Sequence, residues 1–229
     1  LVLQNFTFNI QRKRDGVKQV AGEILSVTYG DRIMSKTLSA VILAGGKSRR
    51  FGTNKALSMF HGERLIERLA RSLGRLTHNV QIVTHTPEEL AFLGLPMTGD
   101  LIPGCGPLGG IHTAIKTSGA ETVVCVACDM PFVTDRFLRY MTEQAVDCDV
   151  VVPISAHGEE PLCAVYRDSC LSAVETCLHE GQYKITGFYE RVRVKRILPE
   201  DTPLYDPWMF FNVNTREDYE EALRHLAVR

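Results

Sequence analysis

Leu38-Ser39-Ala40-Val41-Ile42-Leu43-Ala44-Gly45-Gly46-Lys47-Ser48-Arg49-Arg50-Phe51-Gly52-Thr53-Asn54-Lys55 decides the fold of this chain. Its first seven residues are a short β-prone run, the pattern of a strand buried on both faces. Paired glycines follow at once, and four cations come after them: Lys47, Arg49, Arg50 and Lys55. Glycines directly after a buried strand let the backbone turn tightly and aim N–H groups at an oxyanion. Cations in the same loop offset the charge of a triphosphate. A solvated basic turn is the plainer alternative, but such turns seldom lie among glycines at the mouth of a first strand. Phosphate binding is the reading that fits.

Outward from this loop the chain becomes regular. LIERLARSLGRL has helical period, NVQIVTHT reads as a second strand, and TPEELAFLG opens like a helix. PGCGPLGG is turn-rich and IHTAIKTSG is helical. TVVCVACD is a third buried strand, TDRFLRYMTEQA a helix, DVVVPIS a strand and DSCLSAVETCLHEG a helix. RVKRIL and MFFNVN read as late strands, and TREDYEEALRHLAV as the closing helix. Strands alternating with helices of this length predict an α/β fold, a mostly parallel sheet with helices on both faces. Ligands on such sheets sit at the carboxyl ends of the strands, so chemistry is expected in the loops that follow them. Residues 1–33 lack a clean period and read as an N-terminal extension dispensable for chemistry. Residues 34–229, from the first methionine, Met34, form the expected domain.

The 229 residues suffice for one substantial core, and the formal net charge of −1 gives no general attraction to nucleic acid or to an anionic membrane. Neither is expected as a partner, and any anion site must be local. The seven cysteines are scattered and odd in number. They fit reduced, buried thiols of a cytoplasmic protein better than a disulfide framework. No run of 18 apolar residues is present. Cys125 and Cys128 form C-x-x-C, but residues three apart on a strand face opposite sides, so two core thiols are expected. Gly46-Lys47-Ser48 imitates the end of a P-loop, yet position 41, where that motif needs glycine, is Val41. Gly104-x-Gly106-x-x-Gly109 imitates a dinucleotide fingerprint but does not follow the first strand, and Pro107 suits the first turn of a helix.

LAGGKSRRFGTNK resembles the opening motif of the molybdenum cofactor guanylyltransferases, within the Rossmann-like, GT-A-like nucleotidyltransferase fold. Three further blocks agree in order: Asp100-Leu-Ile-Pro-Gly-x-Gly-Pro-Leu-Gly-Gly-Ile111, Val126-Ala-Cys-Asp129-Met-Pro131 and Phe211-Asn212-Val213-Asn214-Thr215. The resemblance spans roughly residues 38–227. It implies that Leu43, Ala44 and Gly45, with Gly46 beside them, line the nucleotide, that Lys55 and Arg50 contact its phosphates, and that Asp100 helps recognise guanosine. It implies Mg²⁺ on Asp129, and Asn212 and Asn214 near molybdopterin. The implied reaction joins GMP from GTP to the terminal phosphate of molybdenum-bound molybdopterin, releasing pyrophosphate. Implied partners are GTP, molybdopterin, and the proteins that carry molybdopterin or insert molybdenum. Two positions depart from the pattern: Asn54 stands where aspartate is usual, and Thr84-His85 where some members carry asparagine.

The residues support such chemistry on their own terms. Asp129 follows a buried strand, and a hard carboxylate there suits Mg²⁺, which shares substrate phosphates and waters rather than demanding a protein cage. Thr134 and Pro131 supply the helix-start chemistry, which leaves Asp129 free. A phosphate monoester has a second pKa of about 6, so the acceptor is already a dianion at neutral pH and needs no general base. A related nucleotidyltransferase of the same fold using CTP or a sugar phosphate, and a non-catalytic nucleotide-binding protein in cofactor delivery, are the alternatives.

Overall fold

The computed structural model describes residues 38–45 and 55–227; the extension 1–33 and the loop positions Gly46 and Arg50 lie outside the described residues. β1 (Leu38–Ala44) is flanked on both sides by parallel neighbours, β4 (Val80–Thr84) and β6 (Thr122–Ala127). β5 (Met97–Thr98) extends the sheet beyond β4. On the other side come β9 (Cys163–Arg167), β7 (Val150–Ser155) and β10 (Val194–Ile197), giving the order β10-β7-β9-β6-β1-β4-β5. β8 (Gly158–Glu159) forms a hairpin with β7, and β2 (Met59–Phe60) and β3 (Glu63–Arg64) form a separate hairpin.

The expected α/β architecture is what forms, with one strand reversed. β9 runs antiparallel to both β6 and β7. Hydrophobic period alone does not mark its segment, CAVYR, as a strand. The β7–β8 hairpin turns the chain back on itself, so β9 enters the gap beside β6 from the opposite direction. β7 thereby ends up parallel to β6 with β9 between them.

Alternation along the strands divides the core in two. Ala40, Ile42, Val124 and Val126 face α1 (Leu65–Leu76) and α4 (Asp135–Glu143), where they meet Ile66, Leu73, Phe137 and Met141. Val41, Val123 and Cys125 face α3 (Gly106–Ser118) and α5 (Leu171–His179), meeting Leu108, Ile111 and Val174. Most of these side chains are wholly buried, and each full burial of a large aliphatic side chain contributes about 1.5–3 kcal/mol. Cys125 and Cys128 sit in opposite cores, as their spacing requires. All seven cysteines are free and buried.

Helix α1 shows why the local sequence folds as it does. Leu65, Ile66, Leu69, Leu73 and Leu76 recur at helical spacing and are buried. The Glu67 carboxylate accepts from the Arg64 N–H at 2.7 Å and satisfies a donor at the helix start. Three expectations are adjusted. TPEELAFLG yields only the short helix α2 (Pro87–Leu90) and a 3-10 turn. α3 starts at Gly106, inside the turn-rich stretch, with Pro107 in its first turn. MFFNVN makes no strand: a 3-10 turn, Pro207–Phe210, leads into an extended segment and then α6 (Arg216–Ala227). Its aromatics are spent on packing against Phe132 and Phe137 rather than on a ladder. No helix among the described residues is long and apolar enough to cross a membrane.

Candidate active site at the carboxyl edge of the sheet

β1 and β6 are in register at their carboxyl ends, where Leu43 lies opposite Ala127. The Cys128 N–H continues the ladder by donating to the Leu43 carbonyl at 3.1 Å. Gly45 and Asp129 therefore leave the sheet side by side. Lys55 opens a 3-10 turn, Lys55–Leu57, anchored by the buried Ala56. Its ammonium donates to Asp129 Oδ2 at 2.6 Å and to Asn214 Oδ1 at 2.8 Å. The lysine and aspartate side chains are each only 15% exposed, so their attraction is weakly screened.

Asn214 is brought in from the far end of the chain. The Val213 N–H donates to the Asp129 carbonyl at 2.9 Å and fixes the extended segment against the strand end. Asp218, at the start of α6, accepts from the N–H groups of Asn214 and Thr215 at 2.9 and 2.8 Å. Burial works to raise the Asp218 pKa, but these bonds outweigh it and hold the carboxyl below its ordinary value.

Lys55 and Asp129 line a cavity of about 640 Å³, a size suited to a nucleotide. Leu43, Gly45, Val83, His85 and Asp100 share the lining with the first turn of α3. His85 Nε2 lies 3.1 Å from Asp100 Oδ2. A Cβ on Gly45 would stand 3.6 Å from the His85 ring, and one on Gly110 would stand 3.5 Å from Leu43 Cδ2 and 3.8 Å from Asp100 Oδ1. A Cβ at either position would make ordinary contact with these neighbours, so at Gly45 and Gly110 the cavity wall is backbone and any side chain longer than a methyl would occupy cavity space. The fingerprint-like glycines have a local cause too. Gly104 and Gly106 hold φ of +81° and +59°, and a Cβ on Gly109 would come within 3.1 Å of the Ile102 carbonyl. They shape the entry to α3, whose first-turn N–H groups lack intrahelical partners and favour negative charge.

The structure brings together Leu43, Gly45, Lys55, Asp100, Asp129 and Asn214 at this one edge. Ala44 ends β1 half-buried, its carbonyl accepting from Thr84 Oγ1 at 3.4 Å. Asn212 is engaged locally, donating from Nδ2 to the Phe210 carbonyl at 3.2 Å. Gly46 and Arg50 lie outside the described residues. His85 and Leu162 were not singled out as site residues, although both line the cavity. His85 follows β4 directly, so the rule that loops after parallel strands carry ligands pointed to it. Leu162 precedes the unforeseen β9. Cys128 also lines the cavity, but burial, with Asp129 beside it, pushes its thiol up to about 12, so it is no nucleophile.

Asp129 Oδ1 is buried and has no hydrogen-bond partner among the described residues. Leaving a buried carboxylate oxygen unmatched costs on the order of 1–3 kcal/mol or more, and a cation beside it removes that cost. No group of three metal-ligating His, Cys, Asp or Glu side chains occurs among the described residues. A divalent ion here would take one carboxylate from the protein and its other ligands from phosphate and water, which describes Mg²⁺ rather than zinc.

Residues 40–194 match the family described as the MobA-like NTP transferase domain. The chain is 39% identical to a probable molybdenum cofactor guanylyltransferase of Carboxydothermus hydrogenoformans, over 85% of this chain and 99% of the relative. It is 41% identical to another of Pelotomaculum thermopropionicum, over 80% and 91%. Among solved structures it is similar to the molybdopterin-guanine dinucleotide biosynthesis protein A from Archaeoglobus fulgidus, with a TM-score of 0.72 and 28% identity, covering 83% of this chain and all of that one.

Proposed function

The chain belongs to the MobA-like NTP transferase family, a family of nucleotidyltransferases, and on that premise we propose that it transfers GMP from GTP to the terminal phosphate of molybdopterin. The observation that carries the reading is the Lys55 ammonium 2.6 Å from the Asp129 carboxylate on the wall of a nucleotide-sized cavity. A cation and a metal-seeking carboxylate at adjoining strand ends are what a triphosphate needs around its α-phosphate.

In the proposed reaction a phosphate oxygen of the acceptor attacks the α-phosphorus of GTP. The new P–O bond forms as the bond to the pyrophosphate oxygen breaks, and pyrophosphate leaves with the electron pair. The acceptor phosphate is largely dianionic at neutral pH, so no side chain has to remove a proton. Lys55 offsets charge on the phosphates, and the N–H groups at the start of α3 offer donors that need no reorganisation. Asn214 holds Lys55 in place. Bound at Asp129, Mg²⁺ would supply Lewis-acid neutralisation of the phosphate oxygens. Asp100, its Oδ2 engaged by His85, presents Oδ1 as an acceptor for the N–H groups of guanine.

The test is a competition between labelled GTP and CTP for transfer to molybdopterin, with and without Mg²⁺. Mg²⁺-dependent release of pyrophosphate from GTP is the expected result. Preference for CTP would remove the guanylyl assignment and leave the family chemistry.

A further inference from the structure

A transfer reaction needs room for two substrates, and the nucleotide cavity accounts for one. A second cavity, of about 500 Å³, opens at the same edge of the sheet. Tyr205, Trp208 and Phe211 line one side of it, and the β7–β8 turn, Ser155 to His157, lines the other. β7 is parallel to β6 with only β9 between them. At strand spacings of about 4.8 Å, the two strand ends stand roughly 10 Å apart. Segment 211–214 bridges the gap. Phe211 lines the second cavity, the Val213 N–H binds the Asp129 carbonyl, and Asn214 accepts from Lys55.

The aromatic wall is held from behind. The Trp208 ring stacks on His225 with centroids 3.6 Å apart, and Phe211 lies 4.9 Å from Trp208, tilted by 31°. The Tyr205 hydroxyl donates to the Ile154 carbonyl at 3.2 Å. All three aromatic side chains are nevertheless half-buried rather than sealed in the core. Rings fixed in place beside open space bind a flat partner with little ordering cost. The Ser155 hydroxyl is spent within the turn, donating to Glu160 Oε1 at 2.6 Å and accepting from the His157 N–H at 3.0 Å, so the exposed His157 side chain supplies the polar atoms at the rim.

We infer that this second cavity seats a planar heteroaromatic ring of the acceptor while the acceptor's terminal phosphate lies against Lys55 and Asp129. The inference rests on the proposed transfer to a pterin phosphate, in which ring and phosphate are separated by several bonds. The roughly 10 Å between strand ends matches such a span. The segment 211–214 then sets the distance between the two substrates, with aromatic packing at one end and the lysine contact at the other.

Ala156 is exposed in the turn and lines the cavity, so Ala156→Trp fills its mouth without disturbing the core. The substitution is expected to raise KM for molybdopterin about tenfold or more, with the Kd for GTP and the melting temperature unchanged. Ala156→Ser, which adds little bulk, is expected to match the unaltered chain. A second readout is independent of the reaction: the unaltered chain should quench 6-hydroxymethylpterin fluorescence saturably, and the Ala156→Trp chain should not. An acceptor KM within twofold of the unaltered chain, or equal or absent quenching in both chains, overturns the inference. Failure of the unaltered chain to transfer GMP to molybdopterin sinks the guanylyl reading, and the quenching measurement still decides the cavity.

Discussion

The two halves of the sheet's carboxyl edge are built by different means. The half around β1, β4 and β6 is made largely of backbone: a Cβ on Gly45 or Gly110 would already stand in contact with His85, or with Leu43 and Asp100, so any longer side chain there takes up cavity space. The half around β7 is made of side chains, with Tyr205, Trp208 and Phe211 facing a hairpin turn. A glycine wall fits one shape closely and admits little change. An aromatic wall fits many flat ligands and gains its strength from area. The proposed reading assigns the triphosphate to the first half and the acceptor to the second, with Lys55, Asp129 and Asn214 between.

The severest way to break this comparison is at the shared centre. Asp129→Ala is expected to lower kcat by on the order of 10²–10³, the usual cost of one electrostatic contact to the reacting phosphates. Pterin quenching by the second cavity should survive it. A pyrophosphate-release rate within tenfold of the unaltered chain would detach Asp129 from the chemistry. Gly110→Leu moves the damage to the nucleotide half alone. Overpacking between Leu43 and Asp100 costs about 1–3 kcal/mol, so the Kd for GTP by isothermal titration is expected to rise roughly tenfold, with pterin quenching intact. Together with Ala156→Trp this gives a double dissociation; loss of both ligands from either variant would show that the halves are one site.

His85→Ala is gentler. Its ring lies 3.1 Å from Asp100 Oδ2, and losing one close polar contact of this kind costs about 0.5–1.5 kcal/mol. The Kd for GTP is expected to rise about two- to tenfold, and that for ITP, which lacks the exocyclic amino group, by less. His85→Gln, which retains a donor, is expected to recover most of the affinity. Equal losses for the two nucleotides would mean that His85 acts on the pocket's shape and not through Asp100.

The same contrast governs how much could be read from sequence. Glycines demanded by backbone geometry have fixed spacing, so the nucleotide half was legible as LAGG and as the Asp100–Ile111 block. Asp129 was legible because it ends a buried strand. The acceptor half was not, because its wall is assembled from segments some fifty residues apart, Ser155–His157 and Tyr205–Phe211. MFFNVN has the apolar content of a strand, and only tertiary packing turns its aromatics toward Phe132 and Phe137. β9 is not legible in the sequence because its direction depends on the hairpin before it, and period alone carries no direction. Arg50 and Gly46 remain expectations from the loop motif.

The smallest effect is expected at the opposite edge of the sheet, where charge serves stability. Asp149, just before β7, accepts from the Arg193 N–H at 2.9 Å, from Ser169 Oγ at 2.7 Å and from the Arg193 guanidinium. Burial works to raise its pKa, but these bonds prevail and hold the carboxyl down at about 2. An aspartate in an unfolded chain titrates near 3.9. A carboxyl depressed on folding contributes stability that is fully present above about pH 4 and is lost as the pH falls through about 2. Asp149→Asn should therefore lower the melting temperature by a few degrees at pH 7, where about 1 kcal/mol corresponds to roughly 2–4 °C in a domain of this size. The gap between the two chains should narrow below pH 4 and close near pH 2, with GTP affinity and pterin quenching unchanged throughout. A difference that persists unaltered into acid would show that Asp149 acts through its shape. A change in either ligand's affinity would show that the two edges of the sheet are coupled, and that the division of labour along the carboxyl edge extends through the strands themselves.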